Sequence, residues 1–218
     1  ELNIRVMNVS VAAEPTESYM TDPLTLAAKR AVDAGIVVVA AAGNLGKDAV
    51  GRPLYGRITA PGNAPWVLTV GASTTRNGEE VVASFSSRGP TRFDFASKPD
   101  MVAPGVGLVS LSEPGSFLYQ KRPYSRRWGP LDTAAPPYFT MSGTSMAAPV
   151  VSGTIALMVQ ANPGLTPGAV KGILEYTAEW HQGWSRLEQG AGFLNARNAV
   201  TLATQLRMAQ SPSSIGVP

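Results

Sequence analysis

Apolar and polar residues follow two different periods in the first part of the chain. Residues 4–9 alternate as in a half-buried strand, and residues 23–34 place apolar side chains at helical spacing after a candidate N-cap, Asp22. Residues 36–41 form a continuous apolar run after Gly35, which is typical of a strand covered on both faces. This order of strand, helix and buried strand predicts an α/β fold built on a parallel sheet.

The same kind of pattern continues towards the end of the chain. Residues 147–161 are apolar on nearly all sides, which predicts a buried helix. Further strands are predicted at residues 66–72 and 81–85, and further helices at residues 167–176 and 195–205. Repeated alternation of strands and helices favours a single layered α/β unit.

Length and composition agree with one domain over residues 1–218. A chain of 218 residues with 44% apolar content can bury one sizeable core. Residues 106–140 contain five prolines and are expected to form a long surface loop. We expect the tail, residues 208–218, to be flexible.

Charge and cysteine content narrow the possible partners only slightly. The net charge of +3 is mild, and no apolar run approaches the length of about 20 residues that a membrane span needs. One basic cluster lies in the proline-rich loop, where a solvated surface is a better interpretation than a nucleic-acid site: Lys121, Arg122, Arg126 and Arg127. The absence of cysteine excludes disulfides and thiolate metal sites.

A candidate nucleophile stands just before the predicted buried helix. Ser145 lies in the segment MSGTSMAAP, residues 141–149. The first N–H groups of a helix have no partner within the helix, and the helix dipole favours negative charge there. A serine at this position is therefore well placed for a reaction that develops an oxyanion.

The segment GTSMAAP, residues 143–149, resembles the serine motif of the subtilisin-like serine proteases, the subtilase family. VVVAAAGN at residues 37–44 resembles the strand and turn that carry the oxyanion-hole asparagine of that family. FSSRGP at 85–90 and KPDMVAPG at 98–105 resemble two further family segments. The resemblance covers roughly residues 4–200 and implies a subtilisin-like parallel sheet flanked by helices.

Two parts of the catalytic triad have no counterpart in this sequence. The subtilase order along the chain is Asp, then His, then Ser, and no segment before Ser145 resembles the aspartate or histidine motif. The resemblance implies the C-terminal part of a catalytic domain, with a sheet that lacks its N-terminal strands. The single histidine, His181, follows a predicted helix that lies away from the active site in the family fold, so we do not expect it to act as the base.

The resemblance also implies roles for individual residues. Ser145 would be the nucleophile, its N–H and the Asn44 amide would bind the oxyanion, and the Thr144 hydroxyl would support them. Two short segments would bind an extended peptide and line an open side-chain pocket: Ser10, Val11 and Ala12, and Ala41, Ala42 and Gly43. Ordinary structural roles stay open for Ser145 as an N-cap, Asn44 as a turn residue and Ser10 as a strand end.

Three functions remain possible at this point. The preferred one is a serine endopeptidase acting on peptide or protein substrates, with Asp and His supplied by a missing N-terminal part. The alternatives are an autonomous weak esterase and a non-catalytic peptide-binding remnant. We expect either pairing with the N-terminal half or self-association, because a sheet without those strands exposes an unpaired edge. Neither nucleic acid nor a membrane is expected as a partner.

No cofactor is identified from the residues themselves. The resemblance implies structural calcium and secretion, because both are common in the family. Three aspartates that could contribute calcium ligands are not clustered in a dense oxygen-rich loop: Asp48, Asp94 and Asp100. The length of residues 106–140 exceeds the family spacing, and this segment either shapes access of the substrate or is a variable insertion.

Overall fold

The computed structural model describes residues 2–210 and is organised around a parallel sheet. Four strands run parallel in the order β1, β2, β3, β5, and β4 forms an antiparallel pair with the second half of β3. The strands are β1 (Val6–Val9), β2 (Val37–Ala41), β3 (Leu68–Arg76), β4 (Glu79–Val82) and β5 (Met101–Pro104). The predicted parallel α/β sheet is therefore confirmed, and β1 lies at its edge.

Helices cover both faces of this sheet. The helices of residues 2–210 are α1 (Pro23–Asp33), α2 (Phe117–Lys121), α3 (Thr144–Ala161), α4 (Pro167–Thr177), α5 (Arg186–Gln189) and α6 (Ala196–Gln210), and of these α1, α3 and α4 contact the sheet. The Asp22 side chain accepts a hydrogen bond of 2.8 Å from Thr25 N and caps α1, as the sequence predicts. Helix α6 extends through residue 210, so residues 208–210 are helical rather than part of a flexible tail. The rest of that tail, residues 211–218, lies outside the described residues.

The central strand β2 shows why its sequence is apolar without interruption. All five of its residues are buried. Val37 and Val39 pack in the cluster that contains the apolar side chains of α3, whereas Val38 and Ala40 pack with Ala28 of α1 on the other face. Because the side chains of a strand alternate between its faces, a strand between two helical layers needs apolar residues throughout.

The longest helix, α3, packs at the centre of the domain. By length and composition alone, its 18 residues could cross a membrane. The sequence analysis had expected no apolar run of that kind. In the structure α3 contacts four strands and α6, and seven of its side chains are buried: Thr144, Ala147, Ala148, Val151, Thr154, Ile155 and Met158. This burial explains its composition as that of a core helix.

Two predicted strands have different boundaries in the structure. The strand expected at residues 66–72 continues as β3 to Arg76, and the strand expected at 81–85 is β4, Glu79–Val82. Asn77 and Gly78 join them with φ values of 53° and 83°. An Asn-Gly pair with positive φ angles is typical of a tight hairpin turn, so the two segments form one hairpin.

The prediction of a long loop at residues 106–140 was wrong. This segment contains α2, a 3₁₀ turn and most of a three-stranded antiparallel sheet formed by β6 (Leu108–Leu111), β7 (Arg126–Arg127) and β8 (Tyr138–Met141). Tyr119 is buried, and Arg126 lies 4.3 Å from the centre of its ring while donating two hydrogen bonds to its carbonyl. Strands this short give little periodic signal in the sequence.

Candidate active site

Ser145 is the second residue of α3, and a pair of glycines fixes where this helix starts. Gly143 occupies the N-cap position with φ of 156° and donates a hydrogen bond of 2.8 Å to Gly105 O. A Cβ atom on Gly105 would lie 2.7 Å from Ala72 Cβ and 2.9 Å from Gly143 O. The APG segment after β5 therefore ends in glycine because the start of α3 approaches it closely.

Ser145 and Ser10 exchange a pair of hydrogen bonds. The Ser10 hydroxyl donates to the Ser145 carbonyl at 2.7 Å, and the Ser145 hydroxyl donates to the Ser10 carbonyl at 3.2 Å. The Asn8 side-chain amide in turn donates to the Ser10 hydroxyl at 2.9 Å. These bonds connect the segment after β1 to the first turn of α3, and the hydroxyl of Ser145 is hydrogen-bonded to a backbone carbonyl.

Asn44 lies beside the same helical turn with a fixed orientation. Its side-chain oxygen accepts hydrogen bonds from Thr144 N at 2.9 Å and from the Thr144 hydroxyl at 3.1 Å. The Thr144 hydroxyl also accepts a bond of 3.2 Å from Gly43 N. Because the oxygen of the Asn44 amide is occupied, its NH2 group is the end left to donate to a ligand.

The turn before Asn44 depends on the FSS segment, whose role the sequence analysis did not assign. Ser87 N donates to Gly43 O at 2.9 Å, and the Ser87 hydroxyl accepts a bond of 3.0 Å from Leu45 N. Gly43 has φ of 105°, and a Cβ atom there would meet the Ser87 hydroxyl and Thr59 at 2.8 Å. Glycine is required at this position by both conformation and space.

The two segments expected to bind substrate lie on either side of this turn. Strands β1 and β2 pair as far as Val9 and Ala40, and beyond them Val11 and Ala12 are exposed whereas Ala41 and Ala42 are buried. Farther along, Ala13 and Ala60 exchange two backbone hydrogen bonds of 3.0 and 2.8 Å. After Val9 the first segment therefore leaves β2, and its next backbone pairing is with Ala60.

Thr59 is a further residue near the segment 41–43 that the sequence analysis missed. It is buried, and its hydroxyl donates to Ala42 O at 3.1 Å. Its side chain lies against Gly43, the last residue of the second segment expected to bind substrate. No local pattern marks Thr59, because its contact with Ala42 depends on the tertiary fold.

The only histidine of the sequence makes its contacts elsewhere. The His181 ring stacks on Phe193 with a centroid distance of 4.0 Å, and its Nδ1 lies 3.1 Å from the Glu80 carbonyl in β4. Ser145 instead makes its side-chain hydrogen bond with Ser10. These contacts support the expectation that His181 is not the base, and the chain holds no second imidazole.

The three aspartates considered for calcium already bind protein donors. Asp48 accepts hydrogen bonds from Arg52 and Val50 N, and the bond from the Arg52 side chain lowers the pKa of this carboxyl. Asp94 accepts from Ser18 and from Tyr19 N. Among residues 2–210 no three His, Cys, Asp or Glu side chains form a group able to hold a metal. Asp100 accepts from Thr69 N and from Lys98. Calcium takes six to eight oxygens, which include backbone carbonyls, so these separate carboxylates do not by themselves mark a calcium site.

A serine in the first turn of a helix, an asparagine held beside it and a parallel sheet covered by helices form the arrangement expected of subtilisin-like hydrolases. Residues 1–204 match the Subtilase family of peptidases. This chain belongs to the subtilase family, and the resemblance stated from its motifs is confirmed.

Individual relatives agree with this assignment. The chain is 41% identical over 204 residues to the serine protease AprX of Bacillus subtilis, covering 90% of this chain and 43% of AprX. It is 32% identical over 227 residues to pyrolysin of Pyrococcus furiosus, covering 87% of this chain and 14% of pyrolysin. The crystal structure of fervidolysin from Fervidobacterium pennivorans, described as a keratinolytic enzyme related to subtilisin, matches with a TM-score of 0.67 and 28% identity, covering 90% of this chain and 26% of fervidolysin. The chain thus spans less than half the length of these relatives.

Proposed function

We propose that this chain carries the nucleophile and the oxyanion hole of a serine endopeptidase that hydrolyses peptide bonds. The observation that carries the proposal is the joined geometry of Ser145, Thr144 and Asn44. Thr144 fixes the Asn44 amide beside the first turn of α3, where Ser145 presents its hydroxyl. A peptide-binding protein would need neither the serine nor the oriented amide, so this arrangement favours catalysis.

The proposed reaction is acyl transfer to the serine. The Ser145 oxygen attacks the carbonyl carbon of the scissile peptide bond, and the resulting oxyanion accepts hydrogen bonds from Ser145 N–H and the Asn44 amide. The N–H of Ser145 suits this role because the second residue of a helix has no acceptor within that helix. The leaving amine departs with a proton, and water then hydrolyses the acyl-enzyme.

The proposed reaction also needs groups that carry protons, and no base contacts Ser145 among residues 2–210. Serine is a weak nucleophile until a base accepts its proton, and here the Ser145 hydroxyl donates to the Ser10 carbonyl instead. We infer that an N-terminal part supplies the Asp and the His, as the order of the triad in subtilisin suggests. An autonomous weak esterase is the second candidate, supported by the oriented Asn44 amide alone. Family membership also supports the prediction of secretion.

The test is labelling by a serine-directed fluorophosphonate, read by intact mass. We expect the isolated chain to remain unlabelled, because its Ser145 has no base. A chimera in which this chain replaces the matching stretch of AprX should be labelled at Ser145 and should cleave a chromogenic peptide. Ser145→Ala in the same chimera should abolish both signals.

Each alternative gives a different result in this experiment. Labelling of the isolated folded chain that disappears in Ser145→Ala would contradict the need for an external base and favour the esterase. A folded chimera that is neither labelled nor active would overturn the proposed peptidase. Circular dichroism and thermal unfolding of each protein separate loss of activity from loss of fold.

The edge of the sheet leads to a prediction about assembly. β1 pairs with a strand on one side only, and the residues around it expose apolar side chains: Leu2 at 88%, Ile4 at 48% and Met7 at 38%. Unpaired strands with such residues associate with other chains. We expect the isolated chain to self-associate at micromolar concentration in light scattering, and Ile4→Lys with Met7→Lys to reduce the association. The matched change Leu157→Lys, at an exposed residue of α3, should not reduce it. A monomer in the unaltered chain would contradict this prediction.

A further inference from the structure

Segment 106–140 presents positive charges that the proposed reaction does not use. It contains two carboxylates, Glu113 and Asp132, and four basic residues that are close together in sequence: Lys121, Arg122, Arg126 and Arg127. None of the four forms a salt bridge with a carboxylate of residues 2–210. Positive charges that are not balanced within the molecule attract anionic partners.

One of these four residues fixes the local structure. Arg126 donates two hydrogen bonds of 2.9 and 2.7 Å to Tyr119 O, and its guanidinium lies 4.3 Å from the centre of the Tyr119 ring. Tyr119 is buried and packs against Phe139 of β8 with a ring-centroid distance of 6.2 Å. These contacts hold α2 on the small antiparallel sheet. The three remaining basic side chains are exposed: Lys121, Arg122 and Arg127.

Exposed aromatic rings lie beside these charges. Phe117 is 71% exposed, Tyr124 73% and Trp128 66%. Lys121 Nζ lies 5.9 Å from the centre of the Phe117 ring, and Arg127 donates a hydrogen bond of 2.7 Å to Tyr124 O. Together the rings and the three exposed charges form the basic surface of the molecule. Aromatic and arginine side chains are enriched at interfaces, so this composition favours a binding surface over a merely solvated one.

Segment 106–140 is connected to the turn that presents Ser145. Gly107 N donates to the Ser142 hydroxyl at 2.9 Å. Helix α2 and the first turns of α3 also line the same cavity of about 490 Å³, and the residue that α3 contributes first is Met146, which directly follows the nucleophile. The helix that carries part of the basic surface therefore flanks the proposed site of reaction.

A peptide bound at Ser145 has two halves that need different surfaces. Residues 10–12 and 41–43 are expected to bind the half that becomes the acyl group, and Ser10 is bonded to Ser145. The half that leaves must lie beside another part of the molecule. The loop that begins segment 106–140 is bonded to the same turn through Ser142, so this segment borders the path of the leaving half.

We propose that the basic surface binds acidic residues of a polypeptide substrate on the leaving side of the scissile bond. This binding role rests on the proposed peptidase function. The four residues of β8 span about 10 Å, and Arg127 pairs with Tyr138 at the far end of this strand. An extended peptide covers the same distance in about three residues, so the acidic positions lie about three to six residues after the scissile bond. Segment 106–140 thereby determines specificity through charge.

The test compares two quenched fluorogenic peptides as substrates of the AprX chimera. The peptides are identical up to the scissile bond, and at the third to fifth positions after it one carries glutamates and the other glutamines. We expect kcat/KM to be about 3–10-fold higher for the glutamate peptide at low salt, mainly through a lower KM. High ionic strength should reduce this difference, because it screens exposed charges. Mass spectrometry of the products verifies that both peptides are cleaved at the same bond.

Lys121→Glu with Arg122→Glu reverses two charges of the basic surface and leaves the contacts of Arg126 in place. We expect this double variant to prefer the glutamine peptide. Arg30→Glu with Arg197→Glu is the matched control, because it changes the net charge equally at exposed residues of α1 and α6. The control variant should keep the preference for the glutamate peptide.

This proposal and the peptidase function fail in distinguishable ways. A folded chimera that cleaves neither peptide would overturn both. Cleavage of both peptides with equal kcat/KM would overturn the acidic preference alone. Loss of the preference to the same degree in the control double variant would also overturn it, because net charge and not the basic surface would then be responsible.

A binding measurement separates a polypeptide from other anionic partners. The Ser145→Ala chimera should bind the fluorescein-labelled glutamate peptide more tightly than the glutamine peptide in fluorescence anisotropy, and Lys121→Glu with Arg122→Glu should remove this difference. Equal binding of the two peptides, together with binding of phosphatidylserine vesicles or of a single-stranded oligonucleotide that the same double variant abolishes, would overturn the proposal. The basic surface would then bind a membrane or a nucleic acid.

Discussion

Asn44→Ala is expected to lower kcat for peptide hydrolysis by about 10²–10³-fold with little change in KM, a magnitude taken from subtilisin, a member of the same family. The amide of Asn44 would donate to an oxygen that becomes negative only during the reaction. Its loss therefore affects the transition state more than the bound substrate. Steady-state kinetics of the AprX chimera with a chromogenic peptide measure the effect.

Thr144 provides a matched pair of controls for this prediction. Thr144→Val removes the hydroxyl that holds the Asn44 oxygen but leaves the backbone bond from Thr144 N. Because one of two tethers remains, we expect a smaller loss of about 2–10-fold in kcat, and Thr144→Ser should restore activity. A loss in Asn44→Ala that appears only as a higher KM would indicate binding of the ground state and contradict the oxyanion role.

Asp100→Asn is expected to destabilise the folded chain by about 3–5 kcal/mol, because it leaves two buried or partly buried ammonium groups without their shared carboxylate. The corresponding fall in the unfolding temperature is about 6–20 °C for a chain of this size. Chemical denaturation monitored by circular dichroism measures the free energy of unfolding. Asp48→Asn, which changes a carboxylate on the surface, should have a small effect. Equal stabilities of the two variants would contradict a structural role for the ion pairs of Asp100 with Lys98 and Lys171.

The buried charges of Asp100 and Lys98 should also make the stability of the folded chain depend on pH. The pKa of Asp100 is lowered in the folded state by Lys98 and Lys171, against the effect of burial. Its contribution is therefore fully present above the ordinary aspartate pKa of 3.8 and is lost as the pH falls through the lower folded value. The pKa of Lys98 is also lowered in the folded state, from 10.5 to about 8, because burial disfavours its charged form. Stability should rise with pH between these two values, and Lys98→Met should remove that rise.

The parts of the fold that the sequence predicted are those with a strong local pattern. The continuous apolar run of β2 and the capped start of α1 give their positions directly, because burial on two faces and a side-chain cap each leave a local signal. The short strands of residues 106–140 leave almost no local signal in the sequence. Their pairing, such as Arg126 with Phe139, joins residues far apart in the sequence, and the prolines between them suggested a loop.

In the candidate site, too, some residues could be predicted from the sequence and others could not. Ser145 and Asn44 lie in motifs that can be recognised from the sequence, and the structure places both beside Thr144. Thr59 and Ser87 support the turn before Asn44, but their contacts depend on how distant segments pack. The buried ion pair of Lys98 and Asp100 could not be predicted either. These two residues are close in sequence, but the other partners of Lys98, Val67 and Thr69, lie about thirty residues earlier in the chain.

If the chain acts as the proposed peptidase, the paired hydrogen bonds between Ser10 and Ser145 would link substrate binding to the position of the attacking hydroxyl. A peptide that lies along residues 10–12 would contact the same stretch of backbone that bonds to the first turn of α3. A small displacement of this stretch by a poorly fitting side chain would then be transmitted to the nucleophile. Selectivity would then not require a deep pocket, because a poorly fitting substrate would move the Ser145 hydroxyl away from the scissile carbonyl.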